Sequence, residues 1–199
     1  MEAVMKRWCW GLVLLLLVSV AQAAPADKEA TVSGAADRDV PAWTLRAPTP
    51  DGWTQDCCMY AKAIGMNLVM YKGEWTGEPE RVMVLNVWNA KLSSLEAELQ
   101  DDRHHYLDRD PAGKANVFTV DNKTVNCRGV LFEGSDHKDD AVVFCDPGLA
   151  SGIRFSWSMT LAHDDAQKAD LLALFRRVAE QSQYIKQASA GQGAAKTQH

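Results

Sequence analysis

Histidine and aspartate side chains cluster at two places in this 199-residue chain, and both clusters contain residue types that bind metal ions. The first cluster is a run of acids and histidines: Asp101, Asp102, His104 and His105. The second lies among turn-forming residues: Asp136, His137, Asp139 and Asp140. Adjacent side chains on a helix point roughly 100° apart, and neither cluster has the two histidines four residues apart that a helical zinc site uses. The spacing therefore favours a solvated helix end and a solvated hairpin tip, and we predict neither a metal ion nor a cofactor.

Two further groups could take part in acid, base or nucleophilic chemistry. His163 is followed by Asp164 and Asp165, but two acids ahead of an apolar helical pattern are typical of a helix start. Cys57 and Cys58 could supply a nucleophile if a histidine approached them in the fold, yet no neighbouring motif supports that role. The sequence therefore predicts no catalytic residue, and we interpret the chain as non-enzymatic.

A tryptophan in a loop is the best candidate for binding. Trp75 lies in a segment rich in glycine and proline, with Glu74, Glu78 and Glu80 beside it. An apolar anchor ringed by charge has the makeup of a small protein-binding hot spot. These four residues are therefore predicted to contact a protein partner. Trp53 lies in a similar loop and is expected to pack against the core.

The N-terminus indicates the compartment. Two basic residues precede an apolar run from Trp8 to Val20, and Ala21-Gln22-Ala23 follows as a small-x-small cleavage pattern. This order is typical of a secretory signal peptide over residues 1–23, cut after Ala23. The apolar run is shorter than the roughly 20 residues that a membrane-spanning helix needs. We expect a periplasmic or secreted protein whose mature chain has no transmembrane span.

The charge balance excludes two classes of partner. The chain has 21 Lys and Arg against 26 Asp and Glu, a formal net charge of −5. A mildly acidic chain without a basic cluster is a poor ligand for nucleic acid or anionic lipid. The expected partner is another envelope or exported protein, and the sequence leaves the oligomeric state open.

Four cysteines follow the predicted cleavage site: Cys57, Cys58, Cys127 and Cys145. In an oxidising compartment most cysteines form disulfides. Two strand patterns flank a turn centred on Asp136, and Cys127 and Cys145 lie equally far from that centre. Residues that face each other across a hairpin are close enough to bridge, so we predict a Cys127 to Cys145 disulfide. Cys57 and Cys58 could bridge to each other, stay reduced or link two chains, and the sequence does not decide between these states.

Hydrophobic periodicity predicts an α+β domain, mainly an antiparallel sheet with helices packed on it. The predicted strands cover residues 42–45, 66–71, 82–88, 117–120, 125–132, 141–145 and 153–161. The predicted helices cover residues 56–64, a segment capped by Ser93 or Ser94 and running to about Tyr106, and residues 164–185. Composition divides the chain into a flexible leader at 24–42, one folded domain at 43–186 and a disordered tail at 187–199.

Several local motifs carry a resemblance to a known family. They are Pro50-Asp51-Gly52-Trp53, the apolar run from Pro79 to Val87, the helix with Asp101-Asp102 and Tyr106, and the closing Tyr184-Ile185. Over about residues 48–185 the chain resembles the Mog1/PsbP-like superfamily, and within it the small periplasmic proteins grouped with DcrB. The resemblance implies a binding or assembly module without catalytic residues, and it does not account for the four cysteines.

These observations predict an exported, non-enzymatic protein-binding module. It would act as an envelope assembly factor or as an immunity protein that neutralises an exported toxin. The alternative is a protein that binds a small hydrophobic ligand between sheet and helix. A third class, an enzyme that uses Cys57 and Cys58 or a histidine site, is favoured least.

Overall fold

The structure is a computed structural model that describes residues 28–38, 40–75 and 79–186. The predicted signal peptide at 1–23 and the predicted tail at 187–199 lie outside these ranges. Within them, each helix is too short or too polar to cross a bilayer.

The described residues form ten strands and three α-helices. The strands are β1 Glu29–Gly34, β2 Trp43–Pro48, β3 Trp53–Asp56, β4 Leu68–Lys72, β5 Arg81–Asn89, β6 Lys114–Thr119, β7 Asn126–Glu133, β8 Lys138–Asp146, β9 Ile153–Ala162 and β10 Gln183–Lys186. The helices are α1 Tyr60–Ala63, α2 Leu95–Arg109 and α3 Lys168–Gln181.

Seven strands form one antiparallel sheet in the order β3-β4-β5-β9-β8-β7-β6. The other three form a small antiparallel sheet in the order β1-β2-β10. The prediction of an α+β fold with a mainly antiparallel sheet is therefore confirmed.

The main core lies on one face of the large sheet. Strand β9 alternates strictly, and its core-facing residues are Ile153, Phe155, Trp157, Met159 and Leu161. Helix α3 covers this face with an apolar stripe that includes Phe175 and Val178, and the small sheet also packs against it. Trp157 donates its indole N–H to the Ser182 hydroxyl over 2.9 Å, and that hydroxyl donates to the Val178 carbonyl over 2.7 Å. The end of α3 is thereby fixed to the centre of the sheet.

Within the described residues, the opposite face of the sheet is covered near its two sides. Of the two candidate caps of helix α2, Ser94 is the one used, and its hydroxyl accepts the Ala97 N–H over 3.1 Å. The helix buries Leu95 and Leu99 against β7 and β8. At the other side, α1 packs Ala61 against Val69 of β4. The middle of this face lies between these two covered regions.

Two boundary predictions are wrong. Residues 24–42 were expected to be a flexible leader, but Glu29–Gly34 forms strand β1, which buries Ala30 and Val32 and pairs with β2. The closing helix was expected to reach residue 185, but α3 ends at Gln181 and β10 also pairs with β2. Both short strands depend on β2, a partner far away in sequence. The fold therefore begins before residue 43.

The helix expected over 56–64 is reduced to a single turn, α1. Asp56 ends strand β3, and its carboxylate accepts the backbone N–H groups of Tyr60 over 2.7 Å and Ala61 over 3.0 Å. Because this carboxylate satisfies the first donors of the turn, the helix begins after Asp56 rather than at it.

The predicted register of the β7-β8 hairpin is confirmed. Cys127 lies directly opposite Cys145, their Cα atoms are 4.2 Å apart, and their sulfur atoms are 2.02 Å apart. The pair joins the two strands on the core face of the sheet.

Candidate functional site

An open trough crosses the middle of the less covered sheet face. We define this central trough by six floor residues on the central strands: Val84, Asn86, Val142, Ser156, Ser158 and Thr160. Ser158 of β9 lies between Val84 of β5 and Val142 of β8 in register. The side-chain alternation that buries Trp157 on the core face is what turns Ser158 towards the trough.

Three adjoining clefts make the trough long. One cleft of about 360 Å³ lies beside α2, one of about 250 Å³ lies beside Pro79 and Arg81, and one of about 490 Å³ lies at the tip of the β7-β8 hairpin. The first two share Ser158, and the second and third share Thr160. The clefts therefore form one elongated depression along β9.

A buried charge cluster closes one end of the trough. Arg154 is 1% exposed, and its Nη1 donates to Glu98 of α2 over 2.6 Å and to the Leu92 carbonyl over 2.9 Å. Its Nε donates to Asp146 over 3.3 Å. A buried guanidinium needs such partners to offset the loss of hydration. Arg154 thus fixes α2 and the loop before it against the central strands.

The α2 wall of the trough is acidic. Glu98, Asp101, Asp102 and His105 line it. Burial raises the pKa of Asp102, and the charges of Asp101 and Asp140 add to this rise, whereas Arg109 and His105 oppose it. A carboxyl group in this position is stabilised in its charged form by an added cation. The wall is therefore suited to positively charged ligands.

The opposite wall is aromatic and contains the predicted anchor. Trp75 is half-buried and stacks on Tyr60, with ring centroids 4.7 Å apart, while its edge meets Tyr71 at 5.2 Å. Val82 and Val84 pack against this aromatic cluster and also line the trough. Trp75 therefore lies beside the trough, and its role in binding stays a prediction.

The three glutamates predicted to accompany Trp75 have different positions. Glu80 is exposed, lines the trough and pairs with Lys72 at 3.5 Å. Glu74 is exposed next to Trp75, and Glu78 lies outside the described residues. The structure therefore brings Trp75 and Glu80 to the same side of the trough.

Cys57 and Cys58 lie in the turn between β3 and α1. Their sulfur atoms are 2.21 Å apart and their Cα atoms are 3.7 Å apart, so of the three states left open by the sequence the structure has the bridged one. Burial opposes ionisation of the neighbouring Asp56, but backbone N–H donors, led by those of Ala61 and Met59, lower its pKa overall. The Asp56 carboxylate thus stays charged and organises the turn around the two cysteines.

The first cluster of histidines and aspartates lies on α2, where the sequence placed a solvated helix end. His105 pairs with Asp101 at 3.5 Å, and His104 pairs with Asp108 at 3.3 Å. All four side chains are more than half exposed. Each histidine therefore meets one carboxylate on the helix surface, in the i, i+4 arrangement of a helical ion pair.

The second cluster departs from the solvated tip that was predicted. Asp136 and His137 are exposed, but Asp139 is fully buried. His163 Nδ1 lies 2.9 Å from Asp139 Oδ1, and the Lys168 ammonium contacts Oδ2. Burial opposes ionisation of Asp139, but Lys168 and His163 lower its pKa overall. Residue spacing did not reveal this cluster, because Lys168 and His163 reach Asp139 from beyond the hairpin.

Ligand-type atoms of Glu133, Asp139 and His163 lie within 4.8 Å of one another, which is compact enough for a metal ion. Lys168 already neutralises Asp139 there. The contacts are those of a charge cluster that links β8 to the start of α3. Asp165, beside it, accepts the Gln167 N–H over 2.8 Å, and Arg81 pairs with it at 2.8 Å.

No protein family profile matches this chain, and no curated protein matches it. Solved structures that resemble it include a cyanobacterial and a mycobacterial protein. The PsbP of the cyanobacterium Synechocystis sp. PCC 6803, CyanoP, aligns over 83% of this chain and 97% of its own with a TM-score of 0.50 and 13% identity. LpqN, described as involved in cell envelope biogenesis of Mycobacterium tuberculosis, aligns over 79% of this chain and 92% of its own with a TM-score of 0.50 and 12% identity. At these identities the likeness concerns the fold, and the chain has the PsbP/Mog1-like fold that its sequence motifs suggested.

Proposed function

We propose that this protein is an exported, non-enzymatic module that binds a segment of another envelope protein in the central trough. The observation that supports this most directly is that, in the part of the chain that the structure describes, the face opposite the main core is covered at its sides by α1 and α2 and is open along β9. An elongated and open depression suits an extended polypeptide better than a small molecule, which is usually enclosed on most of its surface.

The chemistry of the trough supports a protein segment as the ligand. The hydroxyl groups of Ser156 and Ser158 offer hydrogen bonds, and Val84 and Val142 beside them offer apolar contact. This mixture resembles an ordinary protein interface, in which apolar contacts alternate with hydrogen bonds. The acidic α2 wall favours basic side chains in the partner, and the aromatic wall can contact the same cations through its rings.

A binding role accounts for the charged groups better than catalysis does. Arg154 and Glu98 are held in a buried ion pair, and His105 pairs with Asp101 on the helix surface. General acid or base catalysis needs a titratable group directed at a reacting atom and oriented by a partner. Here the ion pairs hold α2 in place. Their role is therefore to position a binding surface, and not to direct a proton donor at a ligand.

Export supports a role in the envelope. The predicted signal peptide directs the chain out of the cytoplasm, and the two bridged cysteine pairs suit an oxidising compartment. The fold is shared with LpqN, which is described as involved in cell envelope biogenesis. An assembly role is therefore proposed ahead of toxin neutralisation, and the identity of the bound partner distinguishes the two.

A second candidate function has its own observation. A groove of about 200 Å³ lies between the β6 edge and α3, and most of its wall is carbon: Asn116, Val117, Phe118, Leu131, Leu172 and Arg176. This is where a small hydrophobic ligand between sheet and helix would lie. Between the two sheets, by contrast, the space lined by Leu45 and Trp157 is too small for a water molecule. Native mass spectrometry of the purified protein tests for such a ligand.

Site-specific photo-crosslinking in cells tests the trough. A photoreactive amino acid at Ser158 should crosslink to an envelope protein, and the same amino acid at Ala173, exposed on α3, should not. Asp102→Lys should reduce the crosslink, whereas Asp108→Lys, on the same helix but outside the trough, should not. Equal crosslinking from Ser158 and Ala173 would contradict the proposal.

A further inference from the structure

A second interaction surface lies at the far edge of the large sheet, away from the central trough. Among the described strands, β6 is the last of that sheet and pairs with β7 on one side. An unpaired edge presents backbone donors and acceptors to any extended chain that approaches. Natural edges are commonly protected by lysine or proline, but the stretch after Lys114 is Ala115-Asn116-Val117-Phe118-Thr119, and Val117 is 52% exposed.

The side chains around β6 form a groove next to this edge because of one glycine. Phe118 lies so close over Gly129 of β7 that a Cβ atom on Gly129 would come within 2.2 Å of its ring. On the same ring, the Arg176 guanidinium of α3 is 5.0 Å from the centroid. Phe118 is thus held flat between β7 and α3, and the apolar groove of about 200 Å³ opens beside it.

The charges at this edge identify the kind of occupant. Arg176 is exposed and lines the groove, and no carboxylate of the described residues pairs with it. Glu133, which lies opposite Lys114 in register, accepts a hydrogen bond from Asn116 over 2.7 Å. In a chain of net charge −5, this edge therefore presents a guanidinium group without a carboxylate partner next to an apolar groove.

We propose that β6 binds an extended acidic segment of a partner protein by strand addition, with apolar side chains of that segment in the groove and an acidic one near Arg176. Strand addition takes its affinity from main-chain hydrogen bonds and its specificity from the pockets beside the edge. A second copy of this chain is a poor occupant, because its own β6 carries Lys114 and no acid. The segment 187–199 is a poor occupant for the same reason, since its sequence contains no Asp or Glu.

Binding of defined peptides tests this proposal. The probe is a fluorescent peptide whose residues on one face alternate between Leu and Glu and whose residues on the other face are Thr, so that apolar and acidic side chains reach the groove and Arg176 together. The matched control has Lys in place of each Glu. The acidic peptide should bind and the basic one should not. Arg176→Ala should weaken binding by about fivefold or more, the loss expected at a hot-spot contact. Arg177→Ala, which removes the neighbouring exposed arginine outside the groove, should leave binding unchanged.

Backbone pairing is tested separately from charge. Two further probes carry N-methyl groups on either the odd or the even residues, so that only one of them loses the N–H groups that would face β6. Strand addition predicts that one of these probes fails to bind and the other binds normally. Hydrogen exchange should also slow at Lys114–Thr119 when the acidic peptide is bound.

Three results would overturn the proposal. Equal binding of both N-methylated probes would indicate charge attraction without strand pairing. Slowed exchange along β9 in place of β6 would assign the peptide to the central trough. Displacement of the peptide by a single-chain fatty acid, together with a lipid mass on the purified protein, would assign the groove to a small ligand. Because none of these probes depends on Ser158 or Asp102, this proposal and the trough proposal can fail independently.

Discussion

Arg154 of β9 and Glu98 of α2 form an ion pair inside the protein, with Nη1 and Oε1 2.6 Å apart. Their side chains are 1% and 13% exposed, so water contributes little to their solvation. The pair joins the floor of the central trough to its acidic wall. The position of α2 along the trough therefore depends on this contact as well as on the apolar packing of Leu95 and Leu99.

Glu98→Ala should destabilise the protein, because it leaves Arg154 buried with only Asp146 and a carbonyl as partners. We expect the free energy of unfolding to fall by about 3 to 5 kcal/mol, the range found when one partner of a buried pair is removed. Urea unfolding followed by circular dichroism measures this. Glu96→Ala, on the exposed side of the same helix turn, is the control and should change stability by under about 0.5 kcal/mol.

The Cys127 to Cys145 disulfide should be found by peptide mapping under non-reducing conditions. Cys127→Ser should lower the free energy of unfolding by about 2 to 4 kcal/mol and leave the sheet formed, because the bridge closes a loop within a hairpin that also has its own ladder of hydrogen bonds. A peptide that joins Cys57 to Cys127 would contradict both the bridge and the register.

Trp75→Ala should weaken binding of a protein partner by about 1 to 3 kcal/mol, as at other aromatic hot spots. The fold should be retained. Because the substitution also removes the stacking on Tyr60, the free energy of unfolding should fall by about 1 kcal/mol, which the loop sequence alone did not predict. Trp75→Phe keeps a stacked ring and is the matched control. Pull-downs from envelope extract compare the three proteins, and recovery of the same partner in equal amount by all of them would exclude Trp75 as a contact.

Asp139 should make stability depend on pH in the acid range. Its contacts with Lys168 and His163 lower its pKa in the folded protein below the ordinary value of 3.8, despite the opposing effect of burial. The contribution of the charged form is therefore complete above about pH 4 and is lost as the pH falls through the folded-state pKa. Asp139→Asn should be less stable than wild type at pH 7, by about 3 kcal/mol, and the difference should shrink below pH 4. A difference that stays constant from pH 7 to pH 2.5 would contradict this.

Asp102 should show the opposite dependence. Its pKa is raised in the folded protein, mainly by burial, so its contribution to stability is present below the unfolded pKa and is lost as the pH rises through the folded-state pKa. Asp102→Asn should therefore be more stable than wild type at pH 7 and equal to it at pH 3. The same variant should bind a basic partner segment less well, and calorimetry of unfolding and of binding measures the two effects.

The parts of the fold that were predicted correctly have their signals within one element or one hairpin. The alternation from Ile153 to Leu161 predicted strand β9, and the position of Asp136 predicted the hairpin register. The Ser93-Ser94 pair predicted the start of α2 to within one residue. Each of these depends on neighbours in sequence, where turn chemistry and periodicity are informative.

The missed parts depend on contacts between distant segments. Strands β1 and β10 have only six and four residues, and both are stabilised by β2. Asp139 lies between Lys138 and Asp140 in the sequence, and these charged neighbours are typical of a solvated turn. The side chain of Asp139 nevertheless points to the core face of the sheet. The trough could not be predicted because its floor comes from three strands, β5, β8 and β9, that only the folded sheet brings together.

The small sheet also determines how the molecule would respond to tension. Glu29, where β1 begins, lies opposite Pro48 at one end of β2, and Lys186, where β10 ends, lies opposite Trp43 at the other end. A force applied between these two points would pull β1 and β10 along β2 in opposite directions. Antiparallel hydrogen bonds are perpendicular to the strands, so such a force would shear both ladders at once and not open them one bond at a time. The small sheet would therefore resist a force that separates the two ends of the described fold.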